Sequence, residues 1–151
     1  MSKSHGTQLT VTAHPDSIAP SAEFVVSCAT AAGFAPARVR EIELVVEEVL
    51  VNICRHAYGD TPGEIEVRCV QADPEHLLVE FIDSGNPFNI LTSPIPELAV
   101  ELDERQVGGL GIPLIRAMMD KVTYRREGNR NILCVTAQLV RRGAPARLSS
   151  R

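Results

Sequence analysis

Residues 35–58, APARVREIELVVEEVLVNICRHAY, form the best-marked helical pattern in the chain. Pro36 suits a first helical turn, and the turn-forming residues 59–63 end the pattern. Glu48 and Asn52 lie one turn apart, at the edge of an apolar stripe. The stripe consists of Ile42, Val45, Val46, Val49, Leu50, Ile53 and Ala57. The sequence therefore predicts a long amphipathic helix with a carboxylate and an amide beside its buried face.

The other patterns place this helix within an α+β fold. Alternating polar and apolar residues predict strands at 8–13 and 64–70, and turns at 73–75 and 128–129 delimit further strands predicted at 77–82, 122–126 and 132–139. The composition predicts helices at 22–32 and 112–120. Because strands and helices do not alternate regularly, a doubly wound parallel sheet is disfavoured. We expect a two-layer α/β sandwich, with a mixed, mostly antiparallel sheet and helices on one face.

Length and composition limit the class of protein. The chain has 151 residues, which predicts one domain, at 7–140, followed by a basic flexible tail at 141–151. The formal net charge of −4 argues against a protein that coats nucleic acid. No apolar run approaches the roughly 20 residues that span a membrane. The polar N-terminus leads into no signal segment, so we expect a cytoplasmic protein.

The four cysteines, Cys28, Cys54, Cys69 and Cys134, predict no metal site or disulfide framework. None forms a Cys-x-x-Cys pair, and each has apolar neighbours. Because free cysteine behaves as a small hydrophobe, we expect buried thiols, with a redox or zinc role as the alternative.

Two further segments carry residues suited to ligand binding. Asp83-Ser84-Gly85-Asn86-Pro87-Phe88 directly follows an apolar strand. An aspartate at a strand end can accept a hydrogen bond from a ligand amine, and Gly85 would let the backbone approach a flat ring. Gly108-Gly109-Leu110-Gly111 precedes a helix, so its amides can bind an anion. A bare turn and a flexible hinge are the respective alternatives.

Taken together, these segments resemble the Bergerat ATP-binding fold of gyrase B, Hsp90, histidine kinases and MutL. Within that fold the likeness is strongest to the anti-sigma-factor serine kinases of bacteria. Residues 47–58 resemble the N box of these kinases, including its His-Ala-Tyr ending, residues 83–88 the first glycine box, and residues 108–115 the second. The likeness covers about residues 9–139.

The resemblance implies a role for each candidate residue. Asn52 would bind Mg²⁺, and Glu48 would be the general base that takes the proton from the attacking hydroxyl. Asp83 would bind the adenine amino group, with Gly85 beneath the ring. The glycine loop would wrap the phosphates of ATP through Gly108, Gly109, Leu110 and Gly111. Residues 89–107 would form the ATP lid.

The resemblance also implies the partners. The substrate would be a serine or threonine of a small antagonist protein, the other partner a sigma factor, and the protein a homodimer. A non-catalytic or nucleotide-gated binding module of the same fold is the alternative, because Leu44 and Val51 form a second apolar patch on the long helix. A histidine kinase or plain ATPase is a third possibility, but no phosphoacceptor helix pair precedes the domain.

Some features depart from the family pattern or stay open. Asn86-Pro87 stands where many relatives in the superfamily have a second glycine. Asn129 and Asn131 lie where the superfamily often has a threonine near the adenine, and the sequence leaves that contact undecided. The lid carries more acidic than basic residues. His56 lies in register with Asn52, and we expect a core or supporting histidine rather than a catalytic one. At the nucleotide site its neutral ring would orient Asn52 or a phosphate-bound water.

Overall fold

A five-stranded sheet is the frame on which the helices pack. The computed structural model describes residues 5–59, 61–92 and 111–140. The strands are β1 (His5–Thr12), β2 (Glu64–Asp73), β3 (His76–Asp83), β4 (Lys121–Glu127) and β5 (Arg130–Gln138), in the spatial order β1-β2-β3-β5-β4. All neighbouring pairs are antiparallel, so the parallel component of the expected mixed sheet is not found among these strands.

In the described part of the chain, three helices accompany the sheet: α1 (Ile18–Ala31), α2 (Pro36–His56) and α3 (Gly111–Met118). Short 3-10 turns occupy Pro15–Ser17 and Ile90–Thr92. Helix α1 begins earlier than predicted, because Pro20 is accommodated within its first turn. It ends before Gly33, whose φ of 97° gives the chain the left-handed conformation that stops a helix.

The core lies between the helices and one face of the sheet. The α2 stripe contributes fully buried side chains, among them Val45, Val46 and Val49. The sheet contributes alternate residues of its three central strands: Ile65, Val67, Cys69, Leu77, Val79, Phe81, Leu133, Val135 and Ala137. This arrangement confirms the predicted α+β fold with helices on one face.

The other face of the sheet carries paired charges. Arg68 lies 3.2 Å from Glu80, and Arg130 lies 3.7 Å from Glu66. Arg68 and Glu80 lie on the adjacent strands β2 and β3, whereas Glu66 and Arg130 lie on β2 and β5, on either side of β3. Ion pairs between strands, rather than helices, therefore cover this face. The predicted wet face of the strand at 64–70 is therefore confirmed.

The cysteines are free thiols, as predicted, but only two of them are buried. Cys69 and Cys134 are buried, whereas Cys28 and Cys54 are half-buried. Burial raises the pKa of the Cys69 and Cys134 thiols, so both stay protonated near neutral pH.

The buried guanidinium of Arg38 joins three elements at one end of the molecule. Its Nε donates to Gln138 O at 3.0 Å, at the end of β5, and its Nη1 to Met118 O at 2.6 Å, at the end of α3. Its Nη2 donates to Asp120 Oδ2 at 2.6 Å. Arg38 therefore fixes α3, the helix that follows the predicted glycine loop, against α2 and the sheet.

Two expectations concern regions that the structure covers in part or not at all. Within residues 5–59, 61–92 and 111–140, no helix has both the length and the apolar character needed to cross a membrane. The predicted tail at 141–151 lies outside the described residues.

Replacing Arg38 by alanine is expected to lower the free energy of unfolding by about 3–5 kcal/mol, because the largely buried Asp120 loses its guanidinium partner. Urea denaturation followed by circular dichroism measures the change. Arg40→Ala is the matched control, since Arg40 is exposed on the same helix. A decrease in the free energy of unfolding for Arg38→Ala no larger than that for Arg40→Ala would contradict this account.

Candidate functional site

Polar side chains from three elements line one cavity between α2 and the sheet. Asn52 comes from α2, Asp83 from the end of β3 and Asn131 from the start of β5. In the β3–β5 register, Asn131 lies directly opposite Asp83. The predicted convergence of the long helix and the strand end is therefore present. The apolar lining consists of Val49, Ile53, Ala57, Phe88, Ile90 and Leu133.

The cavity is small, and its wall includes Phe88, the last residue of the segment 83–88, and Ile90, near the start of the predicted lid. Its volume is about 30 Å³. One water-sized sphere already takes about 10–15 Å³ of such a volume. The cavity therefore holds a water but no purine ring in this conformation.

Asp83 is held by the turn that follows it and by the neighbouring strand. Asp83 and Asn131 are only 5% and 4% exposed. Asp83 Oδ1 accepts from Gly85 N at 2.9 Å and from Asn131 Nδ2 at 2.8 Å. Asn131 Nδ2 also donates to Asn86 O at 2.9 Å. One amide group thus joins the strand end to the glycine-containing turn.

The oxygen of the same amide accepts from strand β4 and from the turn. Asn131 Oδ1 accepts from Tyr124 Oη at 2.5 Å, from Arg126 Nη1 at 3.1 Å and from Phe88 N at 3.4 Å. Arg126 Nη1 also donates to Gly85 O at 2.9 Å. We refer to Asp83, Tyr124, Arg126 and Asn131 as the Asn131 network.

The sequence prediction missed Tyr124 and Arg126 and left Asn131 undecided. Tyr124 and Arg126 occupy alternate positions of β4, so both point to one side of that strand. One signal was available, because Asn131 is a polar residue directly preceding the buried run Ile132-Leu133-Cys134-Val135. A polar residue next to such a run needs partners, but the partners follow only from the strand register.

Gly85 has a structural reason to be glycine. A Cβ at this position would lie 2.1 Å from Ala57 O, at the end of α2. Asn86 N donates to that same carbonyl at 2.7 Å. The turn is thus docked on the C-terminus of α2, and any side chain at position 85 would force it away. Gly85 is not among the described residues that line the cavity.

Asn52 and Glu48 present oxygen atoms that lack partners among the described residues. Asn52 Nδ2 donates to Glu48 O at 2.8 Å, which orients the amide and leaves Asn52 Oδ1 without a donor from the described residues. Glu48 Oε1 is buried and also lacks a described partner. Burial, and then the nearby Glu47, raise the pKa of Glu48, although Arg55 lowers it.

This donor set fits Mg²⁺ held mainly by a nucleotide. Mg²⁺ prefers oxygen ligands and is usually bound by one or two protein groups together with substrate phosphates and water. The described residues contain no group of three or more His, Cys, Asp or Glu side chains that could hold a metal by themselves. The oriented oxygen of Asn52 and the carboxylate of Glu48 are ligands of the required type.

His56 is not the core histidine that the sequence predicted. It is exposed, because it lies at the last position of α2, where the helix leaves the sheet. Its ring stacks on Phe88, with centroids 4.5 Å apart and an interplanar angle of 26°. Partial burial, and then Arg55, lower the pKa of His56, so the ring is neutral near pH 7. His56 therefore contacts the residue that closes the cavity.

The predicted phosphate loop is only partly covered by the structure. Gly108, Gly109 and Leu110 lie outside the described residues, as does most of the predicted lid. Gly111 is the first residue of α3.

Comparison with known proteins places this site in a family. The model of the histidine kinase-like ATPase domain matches residues 11–137. Serine-protein kinase RsbW of Listeria monocytogenes serotype 4a is 31% identical over 106 residues, covering 66% of this chain and 67% of the relative. Serine/threonine-protein kinase BtrW of Bordetella bronchiseptica is 33% identical over 105 residues, covering 67% and 72%. RsbW of Oceanobacillus iheyensis is 29% identical over 127 residues, covering 80% and 78%.

The matched range includes α2, β3 and β5, and so contains Glu48, Asn52, Asp83 and Asn131. The family assignment therefore rests on the same elements that build the cavity. The chain belongs to the histidine kinase-like ATPase domain family and, within it, to the anti-sigma-factor serine kinases.

Proposed function

We propose that this protein is an ATP- and Mg²⁺-dependent serine/threonine kinase that phosphorylates a small antagonist protein and sequesters a sigma factor. One observation carries the proposal: Asn52 and Asp83, from α2 and β3, line the same cavity. Glu48, one turn before Asn52, has a buried carboxylate oxygen without a described partner. The names of the relatives support the kinase class.

In this proposal the cavity is the inner end of the adenine site. Asp83 accepts a hydrogen bond from the adenine amino group, and the apolar walls contact the ring. Phe88 and Ile90 have to move outward when ATP binds, because the cavity is too small for the ring. Movement of Phe88 also separates it from His56. The phosphates extend toward Asn52 and toward the glycine loop at residues 108–111.

The transfer step needs a base and a neutralised triphosphate. The substrate hydroxyl gives its proton to the Glu48 carboxylate as its oxygen bonds to the γ-phosphorus, and the bond from that phosphorus to the β-phosphate oxygen breaks, releasing ADP. The raised pKa of Glu48 makes the carboxylate a stronger base. Bound Mg²⁺ would neutralise charge on the phosphates, with Asn52 as its ligand.

A binding module without catalysis is the second candidate, and Leu44 is the observation that favours it. Leu44 is 39% exposed on α2, the highest exposure of a large apolar side chain in any described helix. A protein that captures a sigma factor without phosphorylating any antagonist protein would match this alternative.

Calorimetry with ATP, with and without Mg²⁺, followed by transfer of labelled phosphate to antagonist proteins encoded nearby, tests the proposal. We expect Mg²⁺-dependent binding and labelling of a serine or threonine on one antagonist. ATP binding with no transfer to any antagonist would favour the binding module. Absence of ATP binding would contradict the proposed function altogether.

Replacing Glu48 by glutamine is expected to slow phosphoryl transfer by about 10²–10⁴-fold, because the general base is lost. ATP affinity should stay unchanged, since the amide keeps the size of the carboxyl group. Single-turnover transfer and calorimetry measure the two effects. Glu43→Gln, on the same helix, is the control and should transfer phosphate like the wild type. Normal transfer by Glu48→Gln would eliminate Glu48 as the base.

Replacing Asn52 by alanine is expected to weaken the Mg²⁺-dependent part of ATP binding by at least about 10-fold, because the oriented ligand oxygen is removed. ATP binding without Mg²⁺ should change much less. Titrations with ATP at several Mg²⁺ concentrations distinguish the Mg²⁺-dependent part of the binding from the part that does not need Mg²⁺. Asn129→Ala, in the exposed β4–β5 turn, serves as the control. The same Mg²⁺ dependence in Asn52→Ala and wild type would refute the metal role of Asn52.

A further inference from the structure

The Asn131 side chain has no hydrogen-bonding capacity left for a ligand. Both hydrogens of its amide nitrogen are directed at acceptors, Asp83 Oδ1 and Asn86 O. Its oxygen accepts from Tyr124, Arg126 and Phe88 N. An asparagine amide offers two donor hydrogens and one oxygen with two lone pairs, so these five bonds saturate it.

This pattern also fixes which way the amide faces. Rotating the amide by 180° would direct its oxygen at two acceptors, Asp83 Oδ1 and Asn86 O. It would also direct the NH₂ group at the Arg126 guanidinium and the Phe88 N–H. Each of these four contacts would then join two donors or two acceptors, and only the Tyr124 hydroxyl, which can also accept, would keep a hydrogen bond. The surroundings therefore allow one orientation, in which the donor side faces Asp83.

As a consequence, the two carboxylate oxygens of Asp83 differ in their hydrogen bonds. Oδ1 is held by Gly85 N and by Asn131. The described residues offer no donor to Oδ2, although the side chain lines the cavity and is only 5% exposed. Oδ2 is therefore an acceptor without a donor among the described residues, and a ligand that enters the cavity can use it.

We propose that Asn131 is a positioning residue that makes the site selective for a purine with an amino group at position 6, by holding one oxygen of Asp83 and leaving the other as a fixed acceptor. This inference rests on the proposed function, because it assumes that ATP binds in this cavity. Asn131 acts through Asp83 and does not contact the base.

Neither aspartate nor threonine would do the same at position 131. Aspartate is isosteric and keeps the acceptors for Tyr124 and Arg126, but it removes the donor to Asp83 and brings two carboxyl groups into contact. Two carboxylates in contact repel each other, so the Asp83 side chain would turn and its outward oxygen would no longer be a fixed acceptor. Threonine has a single hydroxyl and cannot replace the five hydrogen bonds of the amide.

The test compares the affinities of the full chain for ATP and for inosine triphosphate, which has a carbonyl oxygen in place of the amino group. The wild type should bind ATP more tightly, because Asp83 Oδ2 accepts from an amine and repels a carbonyl. In Asn131→Asp the ratio of the two affinities should fall about 10-fold or more, mostly through weaker ATP binding. Asn129→Asp makes the same change of charge in the exposed turn and should keep the wild-type ratio.

Thermal unfolding of each variant shows whether it is folded. If Asn131→Asp does not fold, Tyr124→Phe takes its place, since it removes only one donor to the amide oxygen. That variant should lower the ratio of the two affinities about 2- to 10-fold.

A merely structural role of Asn131 would weaken the binding of both nucleotides equally, so an unchanged ratio in the folded variant would overturn the inference. Equal affinities of the wild type for ATP and inosine triphosphate would overturn the inference too. A wild type that does not bind ATP would overturn the proposed function itself.

Discussion

The hydrogen bond between Asn131 Nδ2 and Asp83 Oδ1, at 2.8 Å, joins strands β5 and β3 at the end where the site lies. Both side chains are almost fully buried, and buried polar groups are costly unless they are paired. The turn after β3, the start of β5 and two side chains of β4 all satisfy this pair. The rigidity of the site therefore follows from the need to satisfy polar groups in an apolar setting.

Two other anchors fix the elements around that pair. The turn after β3 is docked on the end of α2, where Ala57 O accepts from Asn86 N and leaves no room for a side chain on Gly85. At the far end of α2, Arg38 binds the last carbonyls of α3 and β5. Helix α2 is thus held at both ends. Glu48 and Asn52, in its second half, therefore lie between two points at which the helix is attached to the rest of the fold.

In the proposed function, this small cavity is the part of the nucleotide site that the described residues form. Phe88 and Ile90 contribute apolar surface where the ring would lie, and Phe88 stacks on His56 outside. The polar atoms that a nucleotide would use, Asn52 Oδ1 and Asp83 Oδ2, already have their neighbouring atoms fixed by hydrogen bonds. Such preorganisation reduces the entropy that binding has to overcome. Among the described residues, Phe88 and Ile90 are the side chains that have to move in the proposed function.

The sequence by itself determined the element order, the buried stripe of α2 and the positions of Glu48, Asn52 and Asp83, because helical spacing and strand alternation are local properties. It was wrong to allow His56 a place in the core, because the ring is exposed at the last position of α2, while the supporting role stays a prediction. It explained Gly85 by a ligand, although Ala57 O already leaves no room for a side chain there. Only the tertiary structure decided the part played by Asn131, Tyr124 and Arg126. Their contacts depend on which strands pair and in which register, and a shift of one residue would turn each of these side chains to the opposite face.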